Sequence, residues 1–245
     1  MIITIDGPAG TGKSTVAQTV ARQLCFDFLD TGAMYRAIGL AALRRQTPLE
    51  DMRELAFVAR HSRIEFDWSR QPPTVMLNGE SVGHLLRGSD ATRAASYVAI
   101  VPAIREQLVE QQRQIGRERA NLVTEGRDQG SVVFPEAEFK FYLDATPSER
   151  ARRRVTQLRS RGEIVDSGMV LEDIVARDRR DASRRVGPLA VPEDARVIDT
   201  TELAENQVIG RIVEEILQGS SQRSLRSSRE ESRRASGRAS GGSSQ

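Results

Sequence analysis

The sequence predicts an α/β fold, a three-layer α/β/α arrangement in which helices flank a central parallel sheet. Three observations carry this reading. Short apolar runs of β type alternate with longer stretches of helical periodicity, the pattern of a parallel sheet crossed by helices. Several runs end in an acidic residue or glycine, placing such residues along the carboxyl edge where open α/β sheets bind ligands. The first run leads directly into a glycine-rich loop and then a helical pattern.

That run, Ile2–Asp6, is the first expected strand. The following Gly7-Pro8-Ala9-Gly10-Thr11-Gly12-Lys13-Ser14 matches G-x-x-x-x-G-K-[ST], the P-loop that wraps nucleotide phosphates. Successive backbone N–H groups converge on phosphate oxygens only where glycines allow tight, left-handed turns. Lys13 would reach the β/γ-phosphates, and Ser14, at the start of the next helix, would ligate Mg²⁺. The positive end of that helix faces the anion. Val16, Val20 and Leu24 recur at helical spacing after the loop, so strand, loop and helix come in the required order. Gly7, Pro8, Ala9, Gly10, Thr11, Gly12, Lys13, Ser14 and Thr15 are the candidate ATP site.

Further strands are expected at 26–30, 122–124, 139–144 and 196–199. Between about residues 64 and 86 the pattern changes: Thr74-Val75-Met76-Leu77 runs into Asn78-Gly79, a tight-turn dipeptide, and a small β-containing insertion is expected there. Residues 219–245 are Ser, Arg and Gly with one large apolar residue, Leu225, and are expected to be a disordered tail.

Charge and rare residues narrow the function. The chain has a formal charge of +2, but the tail carries six arginines against two glutamates, leaving about −2 for 1–218. The tail reads either as a weak polyanion contact or as a solvated extension without a role. Of 36 basic residues only Lys13 and Lys140 are lysines. Lys140 lies in Phe139-Lys140-Phe141, so the Asn-Lys-x-Asp guanine reader of regulatory GTPases is missing and that class is disfavoured. Cys25 is the sole cysteine, and His61 and His84 have no Cys partners at zinc-site spacing. With no signal-peptide pattern and no apolar run long enough to span a bilayer, a cytoplasmic protein without a membrane partner is expected.

A phosphate loop alone does not separate an ATPase, a kinase and a motor. Four further segments do: Asp30-Thr31-Gly32-Ala33-Met34-Tyr35-Arg36; 95–105, from Ala95-Ser96-Tyr97 to Arg105; Glu125-Gly126-Arg127-Asp128-Gln129-Gly130-Ser131; and Arg177 to Arg184. With the phosphate loop, these resemble the bacterial cytidylate kinases, in order from Met1 to about Leu217. The resemblance implies transfer of phosphate from ATP to CMP or dCMP, Mg²⁺, an adenylate-kinase-like core, a nucleotide-binding insertion, a moving helical lid and a monomer. The expected division is a kinase domain over 1–218, with the insertion at about 62–90 and the lid at about 150–168, followed by the tail.

The resemblance also implies residue roles. Lys13, Arg127 and Arg184 would act in catalysis, and Arg36, Arg127 and Arg184 would hold phosphates, as bidentate guanidinium forks do. Asp30 and Thr31 would contact the acceptor, Thr31 replacing the serine usual there. Cytosine would be read by Ser96, Arg105 and Asp128; a carboxylate accepting from the exocyclic amine rejects the uracil carbonyl. Asp128 reads alternatively as an ion pair with Arg127 or an outer Mg²⁺ ligand. Arg177 and Asp181 would meet the sugar hydroxyls. Their spacing with Arg184, i, i+4 and i+7, would put all three on one helical face, the alternative being a surface ion pair. Gln129 stands where the family usually has an apolar residue, and Ser131 where threonine is usual. Arg150, Arg152, Arg153 and Arg154 would start the lid and bring positive charge onto the transferring group. His61, His84, Trp68 and Cys25 are assigned to packing or surface.

Two competing readings stay open at the level of sequence. One is another small-molecule P-loop kinase, for UMP, AMP or shikimate. The other is a nucleotide-dependent nucleic-acid binder; three tyrosines and one tryptophan offer few stacking platforms, and no specific nucleic-acid partner is expected.

Overall fold

In the computed structural model, residues 1–239 are described, with side chains through residue 222. The chain opens with β1 (Ile2–Asp6), the glycine loop and α1 (Lys13–Leu24), then β2 (Asp27–Asp30), α2 (Thr31–Arg44) and α3 (Met52–Arg60). A meander of β3 (Ile64–Asp67), β4 (Thr74–Leu77) and β5 (Glu80–Ser81) precedes α4 (Ser89–Val98) and α5 (Pro102–Glu118). β6 (Leu122–Glu125) passes through a single π turn (Gln129–Val133) to β7 (Phe139–Asp144). The pair α6 (Pro147–Arg159) and α7 (Ser167–Ala182), then β8 (Arg196–Asp199) and α8 (Glu205–Ala239), complete it.

The fold class is the one expected. Five parallel strands form one sheet in the order β2-β6-β1-β7-β8, so the strand feeding the glycine loop sits at its centre. Strand alternation sorts the core onto two faces. Ile3, Ile5, Val123 and Phe141 pack with Val16 and Val20 of α1 and with Ile209, Ile212 and Ile216 of α8. Leu29 and Leu122 face the other way, onto Met34 and Ile38 of α2 and Ile104 and Leu108 of α5. Helices α6 and α7 share a separate small core of Ala151, Val155, Leu158, Val170 and Ile174.

Strand β2 starts one residue later than expected because Phe26 closes α1: its N–H donates to the Ala21 carbonyl at 2.8 Å, across Cys25 in the left-handed region at φ 56. The meander pairs antiparallel, Ile64 opposite Leu77, and turns through Asn78 and Gly79 at φ 52 and 83, as a two-residue hairpin requires. It is tied to the body by a two-pronged bond from Arg44 to Glu80 (2.7 and 2.8 Å) and by Arg119 over the Trp68 ring at 4.3 Å.

α8 continues through Ala239, into the segment 219–245 that the sequence reads as a disordered tail; residues 240–245 of that segment lie outside the described residues. Ile216 is the last buried apolar side chain among those described. No helix among the described residues is long and apolar enough to cross a membrane.

Candidate active site

The site lies along the carboxyl edge of the sheet. β1 delivers the glycine loop, where Gly7 and Gly12 take φ 143 and 88. A Cβ at Gly7 would fall 2.0 Å from the Leu143 carbonyl oxygen, so the loop needs glycine there for space as well as for torsion. Lys13 is 5% exposed, and its Nζ donates to the Pro8 carbonyl at 2.6 Å. Burial brings its pKa down to about 7, the Arg127 charge adding to the effect and Glu125 opposing it.

Next to the loop, the Ser14 hydroxyl donates to Glu125 Oε1 at 2.7 Å, and Thr31 Oγ1 to the Glu125 carbonyl at 2.7 Å. Burial raises the Glu125 pKa, helped by Asp30 and opposed by Lys13. Asp30 caps α2 by accepting from the Ala33 N–H at 2.8 Å, and its second oxygen receives Arg36 Nη2 at 2.7 Å.

Beyond β6, two adjacent side chains diverge. Arg127 donates from Nε to Asp181 Oδ2 at 3.0 Å. Asp128 pairs with Arg105, not Arg127, both being almost fully buried. Burial raises the Asp128 pKa against the lowering influence of Arg105 and Arg184. Ser96 is buried on α4, and its hydroxyl donates to the Arg93 carbonyl at 2.9 Å. Gln129 is accommodated by two buried partners: its Oε1 accepts from Thr124 Oγ1 at 2.9 Å and its Nε2 donates to Gln112 Oε1 at 3.0 Å.

From the far side, α7 brings Arg177 and Asp181. Burial lowers the Arg177 pKa to about 10, with Arg127 adding to the effect. Asp181 is 1% exposed; burial works to raise its pKa, but Arg127, Arg184 and Arg177 overcome this and hold it low. The single helical face expected of Arg177, Asp181 and Arg184 is corrected in part. α7 ends at Ala182, and the Leu189 N–H turns back to the Asp181 carbonyl at 2.9 Å, so Arg184 lies beyond the helix. It still bonds to Asp181 through Nη2.

The arginines expected to open the lid divide differently from that expectation. Arg150 is buried, donating to the carbonyls of Ala145 (2.9 Å) and Ala9 (3.1 Å) and pairing with Asp178 at 2.7 Å. It braces α6 and α7 against the loop. Arg152 is held by Glu149, Arg154 by Gln157, and Arg153 by Glu149 and Thr200. Between them and the loop lies a cleft of about 370 Å³, lined by Thr11, Gly12, Val16, Arg153, Thr200 and Val208.

Two residues at the centre were not singled out from sequence. Glu125 ends β6 and Asp6 ends β1, and Asp6 accepts from the backbone N–H groups of Gln129 (2.9 Å) and Gly130 (2.7 Å). Their signal was present: both are acidic residues closing apolar strands at the sheet edge that binds ligands.

The arrangement gathers a phosphate loop, one buried lysine, and several arginines balanced by Glu125, Asp128 and Asp181, as phosphate-carrying substrates require. Comparison with known proteins agrees. The chain is 48% identical over 214 residues to a cytidylate kinase of Caldanaerobacter subterraneus subsp. tengcongensis, covering 87% of this chain and 93% of that protein. A cytidylate kinase of Pseudomonas savastanoi pv. phaseolicola is 43% identical, covering 88% and 94%. A bifunctional pantoate ligase/cytidylate kinase of Synechococcus sp. is 45% identical, covering 86% of this chain and 40% of that longer protein. The family model for cytidylate kinase matches residues 3–218, so this chain belongs to the cytidylate kinase family.

Proposed function

We propose that the protein transfers the γ-phosphoryl group of ATP to CMP or dCMP, giving ADP and CDP or dCDP. The observation that supports the reading is that Asp128, paired with buried Arg105, follows Arg127 directly in the chain, which would set a base reader beside a phosphate holder. Family membership selects cytosine as the base. ATP would lie with its phosphates in the loop 7–15 and its nucleoside toward the 370 Å³ cleft.

Transfer is in line, with the CMP phosphate attacking the γ-phosphorus directly. No general base is needed, since a phosphate monoester with a second pKa of about 6 is already largely dianionic near neutral pH. Lys13, Arg127 and Arg184 supply positive charge where the transition state spreads negative charge over oxygen. Arg36 orients the acceptor phosphate, Asp30 and Thr31 shape its side of the site, and Arg177 and Asp181 meet the ribose. Ser96 needs a rotation of its hydroxyl to reach the base.

Mg²⁺, implied by the family, suits the hard oxygen of Ser14, whose bond to Glu125 fixes the hydroxyl; phosphate oxygens and water would complete its shell. Such an ion neutralises phosphate charge. We read residues 150–168, from α6 into the start of α7, as the lid, residues 62–90 as the nucleotide-binding insertion, and the chain as a cytoplasmic monomer. The test is ADP formation by the purified protein with Mg-ATP and, separately, CMP, dCMP, UMP, AMP, GMP and shikimate. Turnover dependent on CMP and dCMP is expected. Dependence on another acceptor, or on none, would overturn the base assignment.

A further inference from the structure

The chain path between β6 and the π turn is irregular. Asp128 has φ −143 and ψ 23, and the turn that follows uses wide bonds, Phe134 N–H to the Gln129 carbonyl at 2.7 Å and Val133 N–H to the Asp128 carbonyl at 3.1 Å. At the start of any helical turn the first N–H groups have no partner within it. Those of Gln129 and Gly130 are buried, and both are taken by one side chain from another strand: Asp6 Oδ1 and Oδ2, at 2.9 and 2.7 Å, with Asp6 itself 0% exposed. The backbone repeats the tie, Gly126 N–H donating to the Ile5 carbonyl at 3.1 Å. On its other side Asp6 is bonded to Gly7, the first residue of the phosphate loop.

One carboxylate therefore joins the loop that holds the donor to the segment that holds Arg127 and Asp128. We propose that Asp6 is a positioning residue, fixing the register of the acceptor-reading segment 126–130 against the phosphate loop. Resting on the assignment of Arg127 and Asp128 to the acceptor, this proposal adds a residue that touches neither substrate. Both bonded N–H groups follow Asp128 directly, so a shift there carries Arg127 and Asp128 with it. The phosphate loop keeps its own glycine geometry and would be little affected. Burial raises the carboxyl of Asp6 to about 7 against the lowering effect of its two N–H donors, as expected of an acceptor held where no water solvates it. Its charged neighbours are Asp128 and Lys13.

Asp6→Asn preserves volume and one accepting oxygen but turns an amide N–H₂ toward the second donor. The experiment measures the Michaelis constants for CMP and ATP in wild type and variant, quantities that do not depend on the folded fraction of the sample. The expected result is a rise in KM for CMP of roughly tenfold or more, as ångström-scale misplacement produces, with KM for ATP moving by less than about threefold. Unchanged constants, or equal rises for both substrates, would overturn the proposal. Asp6→Ser, which also keeps one accepting oxygen, is the second variant; if neither folds, Asp6 is a core residue only and the proposal fails. A wild-type enzyme indifferent to CMP would instead contradict the functional reading, leaving the two failures distinct.

Discussion

Arg127 and Asp181 meet across 54 residues of chain, Nε to Oδ2 at 3.0 Å, joining the segment after β6 to α7. The carboxylate also receives Arg184, and it lies near Arg177. One buried anion thus bridges Arg127 and Arg184, with the Arg177 charge close by. Replacing it by Ala leaves Arg127 and Arg184 unbalanced, and removing one partner of a buried ion pair typically destabilises by about 3–5 kcal/mol. Asp181→Ala should lose stability of that order in denaturant unfolding. Wild-type stability in the variant would show that the cluster does not need its anion.

If Arg127 holds the acceptor phosphate as proposed, Arg127→Ala removes one phosphate contact. A charge-assisted hydrogen bond is worth about 1.5–3 kcal/mol, so kcat/KM for CMP should fall by roughly 10- to 100-fold, with a smaller change in KM for ATP. Steady-state kinetics with each substrate varied in turn checks this. Unchanged kinetics for both substrates would remove Arg127 from the acceptor site.

Burial brings the Lys13 pKa down to about 7 from its ordinary 10.5, favouring the neutral amine near pH 8. A bound phosphate anion favours the ammonium, and ATP binding at pH 8 should take up as much as about one proton. Calorimetry in two buffers of different ionisation enthalpy measures the uptake, which Lys13→Ala should abolish. That variant should stay folded and lose on the order of 10²–10³-fold or more in kcat.

The same shifts set opposite slopes of stability with pH. The folded pKa of Asp6, about 7, exceeds its ordinary 3.8, so its contribution is complete below pH 4 and is lost as pH rises through 7. The folded pKa of Lys13 lies below its ordinary value, so stability gained from that group grows as pH rises from 7 to 10. Unfolding free energies of the ligand-free protein between pH 4 and 10 check both. Asp6→Asn should flatten the lower slope relative to wild type, and Lys13→Ala the upper one.

Gln129 shows why some of the site was legible in the sequence and some was not. Inner strands such as β1 and β6 could be read because buried parallel strands are short, mainly apolar runs, and the loop because its glycines answer a local steric demand. That Gln129 departs from an apolar position was also readable. Its partners, Thr124 and Gln112, were not, since hydrogen bonding between buried side chains on different elements leaves no periodic trace. The same holds for Asp6 with the π turn, for Asp128 with Arg105, and for the turn back of Leu189 that ends α7 before Arg184. Gln129→Leu should destabilise by about 1–3 kcal/mol through the unpaired Thr124 and Gln112, with kinetics near wild type. A variant as stable as wild type would show that the network is dispensable.

The most direct test of the account compares kcat/KM for CMP and UMP in wild type and Asp128→Asn. If the buried Arg105–Asp128 pair reads cytosine, wild type should favour CMP by roughly 10- to 100-fold or more, and the variant should lose most of that preference through a fall in CMP use. Equal use of the two nucleotides by wild type, or a preference that survives in Asp128→Asn, would contradict it.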